Sequence, residues 1–168
     1  MIADAARLML FPALMAFAAS SDLLTMTISN RVSLILVAGF FALALASGMP
    51  IAVMLSHVGA GGAVLVAAFG CFVCGWIGGG DAKLAAATAL WFGFDHLLVY
   101  LLYASLFGGL LTLVLLQARA FPLPRWLAEQ EWAQRLHRTD SGVPYGIALA
   151  AAALAVYPDT AWMQALSL

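Results

Sequence analysis

The longest apolar stretch of this chain, Ala82 to Arg119, leaves it little freedom. Written as one α-helix at 1.5 Å per residue it would be roughly 57 Å long, against a hydrocarbon core of about 30 Å. It must therefore fold back. Gly93-Phe94-Asp95-His96 is the one polar interruption within it. A turn there leaves a short fourth helix of roughly 13 residues and a full-length fifth. So short a helix spans only about 20 Å, so it thins the bilayer, lies within protein, or begins below the surface.

The remaining sequence has the same character. Apolar types make up 65% of the 168 residues and charged types 9%, whereas a soluble domain is about one quarter charged. That excludes a soluble, disordered or collagen-like chain. The apolar runs are continuous rather than alternating, which favours helices over barrel strands. Further runs at Ile2 to Ala19, Val32 to Ser47, Val58 to Ile77 and Val143 to Trp162 predict an all-α, polytopic integral membrane protein of about six transmembrane helices. Gly48-Met49-Pro50 breaks the chain after the second run, and Ile51 to His57 reads as an interfacial or helix-starting segment. The first run also has the outline of a secretory signal, with Ala16-Phe17-Ala18 as a cleavage site. Asp4 beside Arg7, and the hydrophobic chain that follows, favour a retained helix.

The whole chain, 1–168, reads as a single membrane-embedded domain with one water-facing loop at about 118–142. Within that loop PRWLAEQEWAQRLHR, residues 124–138, predicts an amphipathic helix on the membrane surface, with Trp126, Ala128, Trp132, Ala133 and Leu136 on one face and Glu131 and Arg135 paired at i, i+4. With six spans Arg31, Lys83, Arg119, Arg125, Arg135 and Arg138 fall on one side, and Arg7, Asp4, Asp95 and Asp159 on the other. Short cytoplasmic loops collect Lys and Arg, so the first side is expected to face the cytoplasm. A net charge of −1 argues against a nucleic-acid partner.

The few charges then carry the information. Asp22 follows the first run and Asp81 precedes the fourth, with two crossings between them. Two is even, so both carboxylates emerge on the same face. A lone aspartate at such a place is ordinarily a solvated loop residue, but Asp81 stands behind Gly78, Gly79 and Gly80 and is followed closely by Lys83. Three glycines permit backbone conformations and close approaches that other residues do not. Two facing carboxylates resist joint ionisation and share one proton, so one acts as base on a water while the other polarises a carbonyl. That is a workable device for peptide hydrolysis.

GGGDAKLAAA, Gly78 to Ala87, resembles the GxGD motif of the type IV prepilin leader peptidases, which are aspartic membrane proteases. SDLLTMTISNR, Ser21 to Arg31, resembles that family's first aspartate loop. GVPYGIALAAAAL, Gly142 to Leu154, resembles the last helix of its short members, which serve Flp-type tight-adherence pili. The resemblance covers nearly the whole chain in order. It implies that Asp22 and Asp81 are the catalytic pair and that Gly78 and Gly80 shape the active-site loop. Asn30, Lys83, Pro144, Tyr145 and Gly146 match its motifs. Lys83 either holds Asp81 ionised or meets a lipid phosphate, and Tyr145 either hydrogen-bonds at the site or anchors at the interface. The resemblance further implies a Flp-like type IV prepilin as substrate, cut after a Gly, membrane lipid as surroundings, and the bacterial cytoplasmic membrane as location.

There are departures. Ser29 stands where members often carry Pro, and the loop after Asp22 has few cations. The tetracysteine insert of long, methylating members is missing, so no methyltransferase activity is expected. Cys71 and Cys74 lie inside an apolar helix and read as buried hydrophobes rather than a zinc or redox pair. His57, His96 and His137 are scattered without a metalloprotease pattern, so neither a metal nor a cofactor is expected. Ser105 and His96 make no nucleophile and base pair, and Gly108 and Gly109 read as helix-packing positions. Two other classes fit the same residues less fully. A small ion-coupled transporter or channel subunit would use Asp22, Asp81 and Lys83 as an ion site, and a secretion scaffold would tolerate loss of both aspartates.

Overall fold

The computed structural model describes residues 2–164, and their side chains from residue 5. In chain order the helices are α1 (Ile2–Thr25), α2 (Asn30–Ala46), α3 (Ile51–Val73), α4 (Gly79–Arg119), α5 (Arg125–Ala128), α6 (Glu131–His137) and α7 (Tyr145–Val156). A 3-10 turn, Tyr157–Asp159, and α8 (Ala161–Gln164) follow. No strand occurs among the described residues.

The long stretch folds back where its polar interruption begins. Gly93 has φ +61° and ψ −173° and divides α4 into two arms, 79–92 and 94–119. Trp91 at the end of the first arm packs on Tyr157 just past α7, with ring centroids 6.3 Å apart. Gly108 of the second arm lies under the Tyr145 ring, where α7 starts. From Gly93 the chain therefore retraces the length of α7, and the arms are antiparallel. Carbonyls next to a broken helical ladder need other donors. The Leu90 carbonyl is hydrogen-bonded to His57 Nδ1 at 2.9 Å and that of Trp91 to Trp162 Nε1 at 2.8 Å. A carbonyl only accepts, so Nδ1 of His57 is the donor in this bond.

The first arm is the centre of the molecule. Residues 84–93 are all buried, enclosed by α2, α3 and α7. Of the three ways to accommodate a short apolar helix, this one lies within protein. Its alanines let neighbours approach closely, and at Gly61 of α3 an added Cβ would sit 3.1 Å from Leu90 Cβ. An aromatic cluster closes the end near Gly93, with Phe11 stacked on Tyr157 at 4.4 Å and Trp91 at 5.2 Å from Trp162.

Counting α1, α2, α3, the two arms of α4 and α7, the described residues make six antiparallel passes. The outward surface is apolar. Leu98 is 79% exposed, Val66 75% and Leu45 70%, a pattern suited to lipid rather than water.

Of the two readings of the segment after Pro50, the helix-starting one holds, since α3 begins at Ile51. Other local details correct the expectations. α3 ends earlier than Ile77: Gly75, at φ +75°, donates to Phe72 O and Trp76 to Cys71 O, the paired bonds of a left-handed C-terminal cap. Cys71 is consequently half-buried and Cys74 exposed rather than in the core. The loop helix expected over 124–138 is broken at Gln130, whose φ and ψ of −99° and 120° are extended. Its second piece, α6, docks on the bundle through the buried Ala133. Arg135 donates to the Leu24 carbonyl of α1 at 3.0 Å and is not bonded to Glu131, while Arg119 donates to the Leu136 and Gly142 carbonyls. Unpaired carbonyls at helix ends and in the loop before α7 outcompete an exposed carboxylate as partners for these arginines.

Candidate active site

Asp22 and Asp81 come together at the end of the bundle that carries Arg31, Lys83, Arg119 and Arg135. Asp22 does not follow α1. It lies in the last turns of that helix, which runs on to Thr25. Its side chain is buried, 5% exposed, and Oδ2 accepts the Gly146 N–H at 2.7 Å. Gly146 stands in the first turn of α7, where backbone N–H groups have no partner within the helix. Asp22 thus caps a helix other than its own, where negative charge is favoured. The fit requires glycine. A Cβ at position 146 would lie 2.8 Å from Asp22 Oδ2 and 2.7 Å from Ile28 Cδ1.

Asp81 is placed by the opposite device. Gly78 is the N-cap of α4, so Asp81 sits in the first helical turn rather than ahead of the helix. Its half-buried carboxylate reaches back to accept the Gly78 N–H, as an acidic residue three positions after a cap commonly does. A Cβ on Gly78 would stand 3.0 Å from Asp81 Oδ2. Each carboxylate is therefore held by one backbone N–H, and the two lie within electrostatic reach of each other.

The α1–α2 loop joins the two halves. Met26 has φ +55°, a left-handed conformation that is unfavourable by about 1–2 kcal/mol for a residue other than glycine. Its N–H donates to the Asp22 carbonyl at 2.8 Å, and Ser21 Oγ donates to the Thr27 carbonyl at 2.9 Å. This fold-back sets Ile28 between the first turns of α4 and α7: a Cβ on Gly80 would be 3.2 Å from Ile28 Cβ. Gly80 thereby admits the loop beside Asp81.

The other expected residues are nearby in different relations. Lys83 Nζ donates to Asn30 Oδ1 at 2.9 Å. It does not pair with Asp81, because residues two apart on a helix project to opposite sides. Tyr145, 37% exposed, lays its ring on Gly108, so close that an added Cβ there would be 2.9 Å from Tyr145 Cζ. Gly108 is thus a packing glycine, whereas Gly109 meets nothing within 4 Å. Pro144 is buried just ahead of α7. Among the described residues no group of three or more His, Cys, Asp or Glu side chains is arranged to hold a metal ion.

Ile28 was not visible as a site residue in the sequence, since an aliphatic side chain in a short loop carries no signal. Gly146 stood in a recognisable motif, but its N–H bond to a side chain 124 positions away did not. The arrangement supplies two carboxylates, one buried and one half-buried, at the edge of an apolar bundle, with glycines clearing space beside both. That is sufficient for acid–base activation of a water.

A family model described as the type IV leader peptidase family matches residues 9–113, from α1 into the second arm of α4, and so includes Asp22 and the Gly78 to Lys83 segment. No curated protein and no solved structure matches the chain.

Proposed function

Since the chain belongs to the type IV leader peptidase family, we propose that it removes the leader peptide of a Flp-like type IV prepilin, with Asp22 and Asp81 as the catalytic pair. It is a membrane peptidase. The finer reading rests above all on the convergence of these two carboxylates, from helices far apart in sequence, at one end of the bundle.

One carboxylate takes a proton from a water as its oxygen attacks the scissile carbonyl carbon. The other, protonated, donates a hydrogen bond to the carbonyl oxygen and stabilises the tetrahedral intermediate. The carbon–nitrogen bond then breaks, a proton passes to the departing amine, and the pair regains its single shared proton. The products are the leader with a new carboxylate and the mature pilin with a new amino terminus. Gly146 and Gly78 keep the aspartates in register for this exchange. The substrate keeps its apolar helix in the bilayer and presents its leader junction at the surface, so no deep cleft is required. The distribution of basic residues supports this end facing the cytoplasm, and the family supports a membrane location, which we take to be the bacterial cytoplasmic membrane.

The test is direct. Purified protein in detergent, incubated with a Flp-like pilin precursor, is expected to release a fragment with the mass of the leader; an intact precursor with properly folded protein would overturn the proposal. An ion-coupled carrier would leave the precursor whole, and the family gives that alternative no support.

Gly146→Ala tests the positioning of Asp22. The added methyl meets both Asp22 and Ile28, and moving a reacting group by about 1 Å is worth about 100-fold in rate. Cleavage by this variant is expected to slow by about that factor, read as kcat on a precursor peptide, while the protein stays folded. An unchanged kcat would show that the Gly146 N–H does not hold Asp22 in its reacting position.

A further inference from the structure

A groove of about 540 Å³ opens between α2, α3 and the first arm of α4. Its polar lining, Asn30, Ser33 and Lys83, is gathered at the basic end of the bundle, and the remainder is apolar, running past Val37 and Leu65 to Leu90. Among the described residues none of those lining it is acidic. Lys83 donates to the neutral Asn30 amide, so its charge is not offset within the groove.

The groove and the carboxylates lie on opposite faces of one helix. At about 100° per residue, Lys83, Ala86, Ala87 and Leu90 form a stripe directly across the first arm from Asp81. A peptide lying in the groove would be separated from Asp81 by the full thickness of that helix, about 10 Å. The cavity is moreover only about as large as a single turn of helix with its side chains. A flexible hydrocarbon chain fits such a space better than a second helix does.

We propose that this groove holds an acyl chain of an anionic glycerophospholipid, with the lipid phosphate seated on Lys83. The ammonium stands where a lysine reaching from an apolar wall meets the headgroup layer. Gly62, at which an added Cβ would meet nothing within 4 Å, leaves the channel open beside the chain. The site is independent of the peptidase reading, and an Asp22→Asn protein is expected to retain the lipid.

The experiment is native mass spectrometry of the delipidated full chain titrated with phosphatidylglycerol or phosphatidylcholine. The wild type is expected to retain phosphatidylglycerol preferentially. Lys83→Ala weakens that binding about fivefold, as removal of one basic residue from a lipid surface does, and Lys83→Arg restores it. Gly62→Leu, whose side chain enters open space rather than a packed contact, is expected to expel both lipids. Equal retention of the two lipids, binding that Gly62→Leu leaves unchanged, or displacement of the lipid by a pilin-precursor peptide would each overturn the proposal, the last by making the groove a substrate seat.

Discussion

Asp22→Asn and Asp81→Asn are each expected to slow cleavage of a pilin precursor by about a thousandfold, the scale of losing a positioned acid or base. The substitution is nearly isosteric. Asparagine at position 22 still offers a carbonyl oxygen to the Gly146 N–H, which the aspartate binds at 2.7 Å, and at position 81 it still accepts the Gly78 N–H. Helix ends and packing are therefore preserved, and what is lost is the capacity to take up and share a proton. Because the two act as a unit, the double variant is expected to be little slower than either single one. The measurement is leader release by mass spectrometry, beside elution of each variant as a folded species in detergent. Full cleavage by either single variant would remove the carboxylate pair from the mechanism.

Gly93→Ala is expected to cause a large loss of stability, because the added methyl meets both a backbone restriction and a packed side chain. At φ +61° and ψ −173° Gly93 occupies a region open essentially to glycine alone, and forcing another residue there is unfavourable by about 1–3 kcal/mol. The methyl would also lie 3.0 Å from His57 Nε2, pushing the imidazole away from the Leu90 carbonyl that it caps. Reversal of α4 and capping of its broken ladder thus depend on one residue. Thermal unfolding in detergent should show a clearly lowered midpoint, whereas Gly62→Ala, inside α3 and facing open space, should not lower it, since alanine is favoured over glycine within a helix. An unaltered midpoint for Gly93→Ala would mean that the turn is held by packing alone.

The general architecture was legible because it follows from local properties and from counting. A stretch as long as Ala82 to Arg119 has to double back within a bilayer, and its polar interruption marks the place. That Asp22 and Asp81 share one face follows from the even number of crossings between them. Charge asymmetry places Arg31, Lys83 and Arg119 at that same end, and a continuous apolar run identifies each pass whatever it packs against.

Tertiary packing decided the rest. That the arm 79–92 is enclosed rather than stretched across lipid depends on which helices surround it, and its alanine-rich sequence is equally apolar in either setting. Lys83 bonds to Asn30, 53 positions away, instead of Asp81, two positions away, because helical geometry points near neighbours apart while folding brings distant ones together. Asp22 capping α7, Ile28 wedged between two first turns, and Arg135 drawn to the end of α1 are all contacts between distant segments. Hydrophobicity and periodicity act along the chain, so they determine which segments enter the bilayer and where each one turns. The partners of a hydrogen bond or a missing Cβ are chosen across the bundle, and only the packed helices bring those atoms within reach.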